Sequence, residues 1–292
     1  MAGKNRDKDF FVNPDGIKLF RLVYPPTVRP YRAVVFICHG LFEHCQASYF
    51  KPVIRPLVNS GCMVITHDHR VFLGHGLSEG DRGMINSFDS LVRDVLLDID
   101  ETLVRENIPQ QVPLFLYGYS LGGLICIYAS LRRDRFFKGL CLEAPLLVFP
   151  SKFGIITPSF GKLISRYFPT FEFNKLDYDD ICRNKDYVHT LYGDHLRIHS
   201  GVPAKTAMEI YRAADYLKGC LKEISTPFIV CHGDADEISE IRGSEYLMEI
   251  APVQDKTFII FQRAKHQLRM EIENVNIEFS KNILEWILAR SL

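Results

Sequence analysis

The chain predicts an α/β fold: a mostly parallel central sheet flanked by helices, with an inserted helical cap. Three observations carry this. Short apolar runs of strand length alternate with segments whose apolar residues recur at helical spacing, the pattern of strands joined by crossover helices. Two of the runs, Ala33–Cys38 and Cys62–His67, are apolar almost throughout, as in strands buried on both faces. The alternation then breaks over residues 146–217, where prolines stand at 150, 158, 169 and 203, and resumes at Phe228.

In order, residues 10–12 and 17–23 are strand-like runs separated by Asn13-Pro14-Asp15-Gly16, a turn sequence that predicts an opening hairpin. The strand Ala33–Cys38 stops at His39-Gly40 and a helix is expected over 49–60. The strand Cys62–His67 ends in Asp68-His69-Arg70. Apolar residues at 91, 92, 95, 96, 99, 103 and 104 predict a long amphipathic helix. Residues 112–129 read as a strand, a tight turn and a helix ending near Arg132. Residues 137–142 form a further strand, closing at Glu143-Ala144-Pro145.

Two helical stripes then follow, Phe160, Leu163, Ile164, Tyr167 and Phe168, and Met208, Tyr211, Ala214 and Leu217. Strand readings return at 228–231 and 257–261, and Val275, Phe279, Ile283, Trp286 and Ile287 mark a terminal helix. The expected organisation is a first core segment over 1–145, a helical cap over 146–217 and a second core segment over 218–292.

At 292 residues and 47% apolar, the chain can fill a large core. Lysine plus arginine balances aspartate plus glutamate at 35 each, so no global field recruits nucleic acid. The N-terminal residues 1–9 are polar and unlike a secretory signal, and no stretch approaches the roughly 20 apolar residues of a membrane span. Eight scattered cysteines without a Cys-x-x-Cys pair predict reduced core thiols of a cytoplasmic protein, with no metal site.

The chemistry centres on Gly118-Tyr119-Ser120-Leu121-Gly122-Gly123. A Gly-x-Ser-x-Gly between a strand and a helix is a nucleophile elbow, with Gly118 and Gly122 leaving room for a crowded, strained turn at Ser120. A serine hydroxyl needs a base to take its proton and an acid to orient that base. In folds with this elbow they follow in the order serine, acid, histidine, each just past a sheet strand. After 228–231 comes His232-Gly233-Asp234-Ala235-Asp236, and after 257–261 comes Gln262-Arg263-Ala264-Lys265-His266. His266 is the expected base and Asp236 the chosen acid, with Asp234 as the alternative; His232 is expected to pack or cap. The backbone N–H groups of Leu121 and Leu41 are the expected oxyanion donors. Glu43 and His44 could hold the Leu41 loop by hydrogen bonds or lie exposed.

Taken together, His39-Gly40-Leu41-Phe42-Glu43-His44, Asp68-His69 with Gly74-His75-Gly76-Leu77-Ser78-Glu79-Gly80, the elbow, Arg183-Asn184-Lys185, Gly233-Asp234-Ala235-Asp236 and Ala264-Lys265-His266 resemble the monoacylglycerol lipase family of α/β-hydrolases. The resemblance runs from about residue 10 to the end. It implies the α/β-hydrolase fold, a Ser120, Asp236 and His266 triad, oxyanion donors at Leu41 and Leu121, no cofactor, and a glycerol monoester substrate met at a membrane surface through the cap. Two departures stand out. Phe42 sits where the family usually has a small residue, and Arg70-Val71-Phe72-Leu73 lengthen the segment between His69 and Gly74. Lysophospholipase or other carboxylesterase activity differs only in pocket shape, and a non-catalytic binding protein would have a broken triad. The apolar residues 146–149 and the Phe160 stripe, flanked by Lys152, Lys162 and Arg166, read as a lipid-facing surface or as core packed on the sheet.

Overall fold

A computed structural model describes residues 7–46, 48–70, 78–79, 83–148 and 158–291. Its central sheet has eight strands: β1 (Asp7–Val12), β2 (Lys18–Tyr24), β3 (Ala33–Cys38), β4 (Cys62–His67), β5 (Leu114–Tyr119), β6 (Gly139–Glu143), and two that follow the insertion. The insertion contributes a small antiparallel pair, β7 (Glu172–Lys175) and β8 (Gly201–Pro203), and the sheet then closes with β9 (Phe228–Gly233) and β10 (Lys256–Phe261). The sheet order is β1-β2-β4-β3-β5-β6-β9-β10. The β1–β2 and β2–β4 pairs are antiparallel and every other pair is parallel. The predicted fold class is the observed one.

The parallel strands β3, β4, β5, β6 and β9 are buried along their whole length, which is why their sequences show runs and not alternation. The described residues also form the helices α1 (Lys51–Asn59), α2 (Phe88–Arg105), α3 (Leu121–Arg132), α4 (Pro158–Tyr167), α5 (Lys185–Tyr192), α6 (Ala204–Cys220), α7 (Ile241–Ile250) and α8 (Glu273–Leu288). One face of the sheet packs on α2 and α3, with Leu91, Val95 and Ile99 against Leu124 and Ile127 in one core. The other face packs on α1 and α8, where Val53 and Leu57 join Phe279, Ile283 and Trp286.

The sequence between β6 and β9 holds α4, β7, α5, β8 and α6. Of its two stripes, the second packs inward through Ala214 and Leu217, which with Ile210 and Ala213 of α6 belong to the α2–α3 core. The first does not. Leu163 of α4 and the following Tyr167 and Phe168 are 55%, 63% and 66% exposed, and Phe171 beyond them is 54% exposed. Of the two readings open for Leu146 and Leu147, lipid-facing or core, the structure shows the second: both are buried in the core. There, Leu147 is in close contact with Gly243 of α7. Phe149, Lys152, residues 71–73 of the lengthened loop and the motif residues 74–77 and 80 lie outside the described residues.

All eight cysteines carry free thiols, seven of them buried. Among the described residues, no helix is long and apolar enough to cross a membrane, and no group of three or more histidine, cysteine, aspartate or glutamate side chains is placed to hold a metal ion.

Candidate active site

The site is assembled at the C-terminal ends of β3, β5, β6, β9 and β10, where a parallel sheet presents its loops to one rim. β5 leads through Tyr119 into Ser120, whose φ of 54° and ψ of −117° put a non-glycine residue in a strained conformation. Its backbone is held on both sides. The Ser120 N–H donates to the Glu143 carbonyl at 3.0 Å, and the Ser120 carbonyl accepts from Gly123 and Leu146.

The elbow is so tight that only glycine fits around it. A Cβ on Gly122 would lie 2.0 Å from the Cys38 carbonyl oxygen, and one on Gly118 2.5 Å from the Gly122 oxygen. These contacts are backbone on backbone, so no rotamer change relieves them. They also explain how the turn after β3 comes to lie against the start of α3.

That turn carries Leu41. Among the described residues, no carbonyl or side chain takes the N–H of Leu41 or of Leu121. Leu121 opens α3, so its N–H is one of the unpaired donors at a helix N-terminus, where the helix dipole also favours negative charge. Phe42, next in the loop, has φ 64°, a left-handed conformation that glycine adopts freely. The small residue usual in the family at this place therefore has a backbone reason, and Phe42 meets the same demand with its ring buried.

His266 follows β10 and is 2% exposed, its ring 4.9 Å from that of Tyr119, the residue before Ser120. Its Nδ1 donates to Asp236 Oδ2 at 2.7 Å. The other oxygen, Oδ1, accepts from the backbone N–H of Ile238 at 2.8 Å and of Ser239 at 3.0 Å. His232 Nε2 donates to Oδ2 at 3.0 Å as well, while its Nδ1 faces the Ser244 hydroxyl at 2.7 Å. Burial alone would raise the Asp236 pKa, but the positive charge available on His266 and the hydrogen bonds of both histidines hold the carboxyl well below the usual range. It is therefore an ionised acceptor with every lone pair used. Asp234 takes no part: it is exposed and accepts from the Arg263 N–H across the neighbouring turn. The β9 and β10 loops pack this closely because Gly233 has no side chain; a Cβ there would lie 2.2 Å from the Ala264 carbonyl oxygen.

Beneath the site lies a charge cluster that the sequence did not reveal. Arg269 is fully buried and donates to Glu143 Oε2 at 2.6 Å and to Glu43 Oε2 at 3.2 Å, with its guanidinium 4.0 Å from the Tyr119 ring centroid. Glu43 also accepts from the Gly40 N–H at 3.1 Å and from Gln267 at 3.0 Å. Glu143 also takes the Tyr117 hydroxyl. One arginine thus ties the turn after β3, the end of β6 and the histidine loop together. His44 is buried and bonded to Asp194 at 2.9 Å, so Glu43 and His44 are structural ties and not exposed side chains.

Residues 29–273 match the family model described as serine aminopeptidase, S33. The monoglyceride lipases of Rattus norvegicus and Homo sapiens are each 31% identical over 98% of this chain, covering 91% and 92% of their own lengths. The crystal structure of the Paleococcus ferrophilus monoacylglycerol lipase superposes with a TM-score of 0.80 at 28% identity, over 94% of this chain and 99% of that one. A soluble variant of the Saccharomyces cerevisiae monoglyceride lipase, solved with a substrate analogue, has a TM-score of 0.86 at 20% identity over 99% of this chain and 97% of its own, a likeness of fold.

Proposed function

The chain belongs to the monoacylglycerol lipase family of serine α/β-hydrolases, and we propose that it hydrolyses monoacylglycerols to fatty acid and glycerol through an acyl-enzyme on Ser120. The observation that supports this most is the 2.7 Å contact between His266 and Asp236 at the same sheet rim as the Ser120 elbow. Ser120 Oγ attacks the ester carbonyl while His266 Nε2 takes its proton, and Asp236 holds the imidazole with Nδ1–H toward the carboxylate. The tetrahedral oxyanion is received by the N–H groups of Leu41 and Leu121, each such donor being worth roughly 3 kcal/mol. His266 returns the proton to the departing glycerol, and water then releases the fatty acid by the same steps. No cofactor enters this chemistry.

With monooleoylglycerol, a lysophospholipid of the same chain and a soluble butyrate ester offered in parallel, the monoacylglycerol is expected to show the highest kcat/KM by at least tenfold. Preference for the lysophospholipid or for the short ester would replace the substrate class while keeping the serine mechanism.

We further infer that the protein is cytoplasmic, as its eight free thiols suggest, and docks transiently on membranes through the end of α4. Leu163, Tyr167, Phe168 and Phe171 are exposed apolar side chains close in sequence to the exposed Lys162 and Arg166. Burial of a leucine or phenylalanine side chain contributes about 1.5–3 kcal/mol, enough to change partitioning tenfold or more per residue. The double variant Leu163→Glu and Phe168→Glu is expected to lose binding to phosphatidylcholine–phosphatidylserine vesicles by at least tenfold while hydrolysing the soluble ester as before. Unchanged sedimentation with vesicles would remove this surface from the account.

A further inference from the structure

A second aspartate–histidine chain runs through the core and ends on the turn that carries Leu41. Asp98 of α2 accepts from His67 Nδ1 at 2.9 Å, and His67 Nε2 lies 3.2 Å from His69 Nδ1. His69 Nε2 lies 3.2 Å from the His39 carbonyl oxygen, and the His69 N–H donates to His39 Nε2 at 3.2 Å. All four side chains are 4% exposed or less. His39 immediately precedes Gly40-Leu41, and its carbonyl is one of the atoms a Cβ on Gly122 of the elbow would strike.

Proton counting decides the charge. A carboxylate and a carbonyl only accept, so His67 Nδ1 and His69 Nε2 must both carry hydrogen. The contact between the two rings needs one hydrogen more. Three protons on two imidazoles make one positive charge.

We propose that His67 and His69 share a single buried imidazolium charge, centred on His67, and that this pair is a positioning element pinning the His39–Gly40–Leu41 turn against the nucleophile elbow. The inference rests on the reading of the Leu41 N–H as an oxyanion donor. The charge sits on His67 because Asp98 is its direct partner. From α2, Asp98 and Asp94 face it; from β2, Arg21 shares Asp98 at 2.8 Å; from β3, Cys38 adjoins it; and His69 lies two residues on, past the end of β4. Asp94 is itself held by Arg70. Burial opposes a charge on His67, yet the Asp98 hydrogen bond and the neighbouring negative charges carry its pKa above the ordinary histidine value. Burial and the adjacent His67 charge push His69 well below it, so His69 is the neutral ring. The three contacts require the proton, and the raised pKa means that it is lost at a higher pH than an ordinary histidine's. Two neutral rings cannot make all three contacts, so either the ring-to-ring link or the hold on the His39 carbonyl must go.

The test follows hydrolysis of a soluble ester by pH-stat and reads the rings by histidine-selective ¹H–¹⁵N spectra of the resting protein, which need no turnover. His67→Phe, which keeps the volume but has no donor, is expected to lower kcat tenfold or more with KM within about twofold. His67→Gln, whose amide can donate to His69 at any pH, is expected to recover most of that loss and to lack the fall in kcat expected of the parent as pH rises and the pair gives up its proton. In the parent, the spectra should show one ring protonated on both nitrogens at pH 7.5, absent from His67→Gln, that loses a proton over the same range. Parent spectra in which every ring other than that of His266 carries one N–H at pH 7.5 would overturn the proposal whatever the ester assay shows. So would a His67→Gln enzyme with the parent's alkaline fall. An enzyme that leaves all esters intact while the doubly protonated ring is present would instead contradict the hydrolase reading.

Discussion

Replacing Ser120 with alanine is expected to lower kcat on monooleoylglycerol by roughly 10⁴- to 10⁶-fold, the range for loss of a nucleophile from a working triad. The fold should survive, because what the structure demands of position 120 comes from its backbone. The N–H and carbonyl make the contacts with Glu143, Gly123 and Leu146, and alanine keeps both. The positive φ is strained for either residue, so stability should change by less than about 1 kcal/mol. Circular dichroism and a urea titration would check the second half of this expectation, and single-turnover release of oleate the first. A variant that still hydrolyses at a tenth of the parent rate would place the nucleophile elsewhere.

The second large effect is expected at Asp236. In Asp236→Asn, the amide must be turned so that its oxygen still meets the N–H groups of Ile238 and Ser239, since two backbone donors cannot face an NH₂. The NH₂ then falls where Oδ2 was, 2.7 Å from His266 Nδ1. That nitrogen can no longer donate, so the ring moves its hydrogen to Nε2 and presents an N–H to Ser120 where a lone pair is needed. A loss of about 10⁴ in kcat with little change in KM is the expected result. His232 worsens the conflict, because its own Nε2–H also points at that position while held by the Ser239 carbonyl at 3.0 Å. A loss below tenfold would mean that Asp236 shapes the loop and does not set the tautomer of His266. The Asp234→Asn change, one turn away and exposed, should leave kcat within about twofold.

Much of this was legible in the sequence because it is local. A buried strand announces itself as an apolar run, and the residues of interest stand just past the ends of such runs: His39-Gly40-Leu41 after β3, Ser120 after β5, Asp236 after β9, His266 after β10. The long helices α2, α6 and α8 were visible from periodicity, although α2 begins a turn earlier than its apolar stripe does. The short helices α5 and α7 were not read, and neither was the β7–β8 pair, which has only four and three residues. What lay out of reach was pairing across the chain. Glu43 and Arg269 are 226 positions apart, and nothing near either residue marks it as buried. An exposed charge and a buried one look alike in sequence; only the fold shows that Arg269 stacks on Tyr119 and bridges two glutamates. Asp98 is the same case. On a helical wheel it reads as one more surface acid of α2, yet Arg21 and His67 both close on it. The insertion was left open for a different reason, since apolar spacing says that a helix has two faces but not which one meets the core. Of its two stripes, that of α6 turned inward and that of α4 outward.

The claim beneath all of this is that the hydroxyl at 120 is chemically activated by His266. Reaction with a fluorophosphonate followed by peptide mass mapping tests it most directly, because only a serine with a working base forms the adduct. One adduct per chain, located on Ser120 and lost in His266→Ala, is the expected result; an unmodified chain, or a label on any other residue, would contradict it.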